Sequence, residues 1–358
     1  MGNNMYPIYR AAVLLVISIL CFSCRVTEDS ETVVFRMEEF RTVELSYKEG
    51  EQVAIDGLEF GRPYIVRKHK DGFLFVREVK GDRQLKIIDL EEGTYTASIS
   101  KGRAWNELLS LRDISMTGEE VCLSSIMENK VLRLAYDVTE RAFSPDTSMS
   151  IEGIQFMRIV PFGDRYVTLS SGSSGTRMNI LSETGSPVDT VGSFPTEGIS
   201  GISNINNAVL QSDISVSPDL RHIVTAFRSI DYIDIYGEDF ALQRRLRGPE
   251  QMDIELKSEK AGPGGYRFTQ EPKFVAYDNV VSDAEGFYAG YYGIEMPRPG
   301  ARREQGFRTI LSFDWAGHPG AAYMFDTPVI SFDVDRLSGE MYCLMETAEP
   351  EIRIFRIL

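Results

Sequence analysis

Only three histidines, four cysteines and two tryptophans stand among 358 residues. The chain therefore has few parts for imidazole, thiolate or metal chemistry. Basic residues are also scarce: 38 Lys+Arg against 53 Asp+Glu give a net charge of −15. Phosphate backbones are bound by basic surfaces, so this balance argues against nucleic acid as a partner. At 43% hydrophobic and 25% charged residues, wholesale disorder, collagen and a polytopic membrane protein are excluded. No window beyond Glu31 carries an apolar stripe of helical period longer than two turns, which removes a helical fold. No nucleophile elbow, phosphate loop or His-Glu-x-x-His pair occurs, and Ser171–Gly175 has the spacing of a hairpin loop instead.

What is present begins with a targeting segment. Met1–Arg10 holds one charge, Arg10, and is followed by the apolar run Ala11–Leu20 and by Cys21-Phe22-Ser23-Cys24. A weakly basic start, an apolar core and a small residue before the break match a secretory signal. Ala11–Ser23 is shorter than the roughly 20 residues a helix needs to span a bilayer. Ile19–Cys24 resembles a bacterial lipoprotein box, and its loose Ser-Cys ending is similar to those of Bacteroidetes lipoproteins. The resemblance implies a signal peptide over residues 1–23, lipid attachment at Cys24 and a polar tether over residues 24–31 with Glu28, Asp29 and Glu31. Multiple acyl chains anchor durably. The expected location is the outer membrane, facing either the periplasm or the cell surface, with the membrane itself as one partner.

The rest reads as repeated short strands. Tyr64–Lys68, Phe73–Val79, Leu85–Leu90 and Tyr95–Ser100 are four apolar segments separated by turns, among them Asp71-Gly72, a two-residue hairpin signal whose central positions favour positive φ. The second strand recurs near Val121, Tyr166, His222, Phe287 and Met341, in steps of 48, 45, 56, 65 and 54 residues. A four-stranded unit at this period is a β-propeller blade. Six blades fit residues 32–358 as a single all-β domain of antiparallel blades. The sixth runs out of chain after three strands, so an N-terminal strand, Thr42–Ser46 or Val33–Phe35, is expected to close the ring and remove its exposed edge.

Ser215-Val216-Ser217-Pro218-Asp219-Leu220-Arg221 resembles the strand-turn-strand of TolB-like propellers, with Leu220 where that motif has glycine. Ile310–Gly317, Thr327–Val334, Met341-Tyr342 and Glu349–Ile357 are similar to the last two blades of TolB-like six-bladed propellers, a family abundant among Bacteroidetes lipoproteins. The resemblance implies the fold and leaves the activity open.

Candidate contacts come from loops that a ring gathers on one face. Lys101–Leu108 contributes Arg103, Trp105 and Glu107. A long loop of blade five contributes Tyr291, Tyr292, Arg298, Arg302 and Arg303. Tyrosine and arginine together suit anionic or polar ligands. Two functions fit: a non-catalytic module binding a peptide, glycan or protein, or a propeller hydrolase or lyase with a metal in its channel. The second needs polar side chains converging from the innermost strands. Those strands offer Ile65, Ile114, Met157, Ile214, Val275 and Ile330, with Asp113, Asp213 and Asp278 as exceptions. Binding without a cofactor is the expectation. His69, His222 and His318 are expected to be solvated turn or edge residues, and Cys122 and Cys343 to be buried free thiols.

Overall fold

A computed structural model describes residues 32–170, 175–201, 207, 209–260, 266–295 and 305–357. The expected signal segment, Cys24 and the expected tether lie outside the described residues, as do Arg298, Arg302 and Arg303. Blade 1 comprises Pro63–His69, Phe73–Glu78, Arg83–Asp89 and Thr94–Ser100, paired in that order. Blades 2, 3 and 4 repeat the pattern, opening with Asp113–Thr117, Phe156–Phe162 and Ser212–Val216. Blade 5 opens with Phe274–Ser282, and blades 5 and 6 are joined by one long strand, Pro319–Asp335. Its first half pairs with Phe307–Asp314 as the outer strand of blade 5. Its second half pairs with Glu340–Met345 as the innermost strand of blade 6.

Middle strands such as Phe73–Glu78, His222–Phe227 and Tyr232–Gly237 are buried almost throughout. Each is covered on both faces by neighbouring blades, so it reads as an apolar run. Outer strands such as Pro187–Val191 are mostly exposed. The core is divided accordingly into clusters at the seams. Phe75 and Leu123 meet between blades 1 and 2, Val131 and Phe156 between 2 and 3, and Val167 and Ile223 between 3 and 4. Ile233 and Phe287 meet between 4 and 5, Phe307 and Phe332 between 5 and 6, and Val66 and Leu344 between 6 and 1. The last seam closes the ring. Cys122 and Cys343 are buried free thiols in two of these seams.

The closing strand comes from the N-terminal side, but it is neither of the segments expected from β-propensity. Strand β1, Thr32–Val34, lies parallel to the outer strand of blade 4. Strand β2, Arg41–Leu45, lies parallel to the outer strand of blade 5. Strand β3, Glu51–Gln52, pairs with Glu351–Arg356 and completes blade 6. The segment is thus a belt along the outer edges of three successive blades. Phe35 and Phe40 pin it, each packing edge-on against Phe313 of blade 5 at 5.2 and 5.3 Å between ring centres. Arg353 stacks on the Tyr47 ring at 3.8 Å, and Asp326 accepts hydrogen bonds from the Ser46 hydroxyl and the Tyr47 amide.

Two turns differ from expectation. Only Gly72 of the Asp71-Gly72 pair takes positive φ, and its amide closes the turn on the His69 carbonyl at 3.2 Å. Leu220 takes φ 61°, a conformation that costs a branched side chain of order 1 kcal/mol. Its packing against the blade 3–4 core offsets that cost.

The histidines also need correction. His318 is exposed beside Asp314, but His222 stacks on Trp315 at 4.7 Å and His69 is 2% exposed. His69 lies among Phe75, Tyr136 and Phe143, where the lower turns of blades 1 and 2 meet. Burial holds its imidazole below the ordinary value, against a weaker opposing pull from Asp71. The unfolded chain therefore binds a proton that the folded chain refuses, and stability falls as pH drops below about 6.5, by at most about 1.4 kcal/mol per pH unit. Urea unfolding at pH 7.5 and 5.5 should show this loss, and His69→Phe should make it smaller. An unchanged pH response in the variant would show that His69 is not its source.

Candidate functional site

Each innermost strand contributes a charged residue to the channel: Arg67, Asp113, Arg158, Asp213, Asp278 and Asp333 from blades 1 to 6. The expectation of little polar convergence is thereby overturned. A charge within each innermost strand, repeated every 45 to 65 residues, was the available signal. Arg158 Nε lies 2.5 Å from Asp213 Oδ1 and 3.5 Å from Asp113 Oδ2, linking blades 2, 3 and 4. Arg67 Nη1 donates to Asn279 Oδ1 at 3.1 Å and to the Phe332 carbonyl at 3.3 Å, linking blades 1, 5 and 6. Asp333 accepts from the Lys68 amide at 2.7 Å. Arg228, after the second strand of blade 4, pairs with Asp278 at 3.1 Å.

Burial raises the Asp113 carboxyl above the ordinary range, while Arg158 holds Asp213 below it against burial. Asp333 is raised by burial. Two carboxylates that could have served a channel metal, Asp113 and Asp213, are instead directed at one guanidinium. Among the described residues no group of three His, Cys, Asp or Glu converges as metal donors.

At its upper end, where the links between blades lie, the network reaches the surface. A cavity of about 20 Å³, lined by Arg112, Arg158, Gln211, Arg228 and Tyr277, is the size of one water. It adjoins a groove of about 410 Å³ that shares Gln211 and Arg228. The groove's outer wall is a hairpin, Ile254–Lys260 with Tyr266–Glu271, inserted between blades 4 and 5. The sequence reading assigned no strands there, and the hairpin accounts for the longest step of the repeat. Gln270 Nε2 fastens it by donating to the Ser229 and Phe274 carbonyls, both at 3.0 Å. Val209, Leu256, Phe268, Phe274 and Val275 make the groove largely apolar, Lys273 gives it positive charge, and Arg228 is paired with Asp278.

A larger groove of about 1080 Å³ lies among the lower turns of blades 1 and 2. Its charges are consumed locally: Lys68 faces Asp335, Lys70 faces Glu119, Arg133 faces Glu120 and Arg141 faces Glu91. The upper groove is smaller but keeps Lys273 without an ion-pair partner among the described residues.

The loop residues expected to bind are distributed as follows. Trp105 is 57% exposed in the link between blades 1 and 2, and Arg103 beside it is also exposed. Glu107 accepts from the Ala104 amide and so shapes its own loop, which Lys130 braces from below through two carbonyls at 2.7 Å. Tyr291 is buried against Tyr277 at 5.1 Å. Tyr292 donates to the Gln305 carbonyl. Arg112, which the sequence reading missed, follows the Trp105 loop in the same link.

Residues 47–336 match the model of the TolB-like 6-blade propeller-like family. Among solved structures, the WD40 repeats of RRP9 are similar over 87% of this chain and 98% of theirs, at 9% identity and a TM-score of 0.50. The β-propeller domain of Cps50 (Swd1) from Myceliophteria thermophila is similar over 85% of this chain and 99% of its own, at 11% identity and a TM-score of 0.46. No curated protein matches. At such identities the RRP9 likeness speaks for fold alone.

Proposed function

The chain belongs to the TolB-like 6-blade propeller-like family, and we propose that it is a membrane-anchored, non-catalytic binding module whose protein or peptide partner docks on the upper face. One contrast carries this reading. The channel carboxylates are engaged by arginines, Arg228 among them, whereas the adjoining upper groove presents apolar walls with Lys273, and the cavity beside it Arg112, without a carboxylate partner among the described residues. A few placed polar groups in an apolar cleft suit binding and orientation. The anchor rests on Ile19–Cys24, with Cys24 as the lipidated residue at the outer membrane. The loop carrying Arg103 and Trp105, in the link between blades 1 and 2, extends the same face; Arg298, Arg302 and Arg303 remain candidate contacts from sequence alone.

Site-specific photocrosslinking in native cells tests both halves. A photoreactive side chain at exposed Gln211, on the upper groove, should give a discrete adduct. The same group at Leu337, fully exposed on a lower turn, should give none, and Cys24→Ala should move chain and adduct from the membrane pellet to the soluble fraction. An adduct from Leu337 alone, or none from Gln211, would refute the docking face. A variant still held in the pellet would refute the anchor.

A further inference from the structure

We infer that the upper groove takes the C-terminal end of a polypeptide, with its free carboxylate on Arg112 and an apolar last side chain against Phe268. This rests on the upper face being the docking face and adds the chemical identity of what enters it.

The first observation is Arg112. Its backbone is fixed, the amide donating to the Ser124 carbonyl at 2.7 Å. Its guanidinium has no hydrogen-bond or ion-pair partner among the described residues, unlike Arg158 and Arg228 in the same cavity. Asp113, the nearest carboxylate in sequence, is directed at Arg158. A half-buried guanidinium left with open donors is a receptor for a carboxylate, which matches its planar fork.

The second observation is the shape of the path. The groove of about 410 Å³ and the cavity of about 20 Å³ meet at Gln211 and Arg228, which line both. Beneath it, Arg158 with Asp213 and Arg67 with Asn279 occupy the channel. A chain entering along the hairpin cannot pass through, so it must end there. A terminal carboxylate meets this geometry, whereas an acidic side chain within a continuing chain does not.

The third is the wall. Tyr266–Glu271 is the last strand of its sheet and pairs only with Ile254–Lys260. Its other edge offers backbone groups to an added strand. Phe268, 41% exposed, supplies apolar surface for the terminal side chain, and Lys273 adds attraction for an anion in a chain of net charge −15.

The test uses two pools of fluorescein-labelled hexapeptides ending in Leu, Val or Phe, one with a free carboxylate and one amidated. They are titrated against the folded protein by fluorescence anisotropy. The acid pool should bind at least about tenfold more tightly than the amide pool, since a charge-assisted, bidentate contact is lost on amidation. Arg112→Gln should remove that difference. Phe268→Ser, at an exposed site, should weaken the acid pool while retaining some preference over the amide. Equal binding of the two pools, binding of neither, or an undiminished preference in Arg112→Gln overturns the inference. If Gln211 crosslinks to a partner while acid and amide behave alike, the docking face stands and only the carboxylate assignment falls.

Discussion

Replacing Arg158 with Ala should lower the unfolding free energy by about 3–5 kcal/mol, as expected when one partner of a buried ion cluster is removed. Arg158 reaches Asp213 at 2.5 Å and Asp113 at 3.5 Å, so its loss leaves two buried carboxylates without the guanidinium that bridges them. The pH response should change with it. In the parent, Asp213 is held below the ordinary carboxylate range, so its contribution is present above about pH 3.9 and is lost as pH falls through the folded value. In the variant both carboxyls rise above their unfolded values. The folded state then binds more protons than the unfolded one, and part of the lost stability returns as pH falls from 7 towards 5. Denaturant titrations of parent and variant at pH 7 and 5 measure both effects. A loss below about 1 kcal/mol at pH 7 would mean that the channel network contributes little to the ring.

Phe35→Ala should cost a comparable amount, about 3–5 kcal/mol, because an almost fully buried ring is removed from the packed set it forms with Phe40 and Phe313. The location of the damage distinguishes it from the first case. Hydrogen exchange should rise in Thr32–Val34, in Arg41–Leu45 and in the outer strands of blades 4 and 5 to which they pair, while blades 1 and 2 stay protected. Uniform loss of protection around the ring would show that the belt is not a separable unit. Deleting residues 32–46 tests the corrected topology: it strips the outer edges of blades 4 and 5 but leaves Glu51–Gln52 on blade 6.

The blade repeat was legible because each second strand is covered on both faces and so carries a dense apolar run. His222–Phe227 and Glu340–Met345 have the same limits in sequence and structure. Closure was harder to read. Glu51–Gln52 is two exposed polar residues, with no β signal beside the stronger Thr42–Ser46, and position along the belt outweighed propensity. The hairpin Ile254–Lys260 with Tyr266–Glu271 was hidden because it stands outside the blades, and its mixed charges lack the apolar run of a covered strand. The channel charges were visible singly but not together. Arg158 is a lone cation in an apolar strand and Arg67 sits beside Lys68, and only ring geometry shows that they meet Asn279, Asp113 and Asp213. Arg112 was hidden for the opposite reason. What marks it is an unmet hydrogen-bonding demand, which has no trace in sequence.

The belt also dictates an order of events during synthesis. Residues 32–52 leave the ribosome before any blade, yet the partners of β1 lie more than 200 residues later and those of β3 about 300 later. These pairings have the longest sequence separations in the ring, so their loop-closure cost is met last. Until the Glu351–Arg356 strand emerges, blade 6 has an open edge and the belt has no complete surface to bind. Any chain shortened at its C-terminal end before that strand therefore retains several formed seams but no closed ring, and carries exposed strand edges of the kind that seed aggregation.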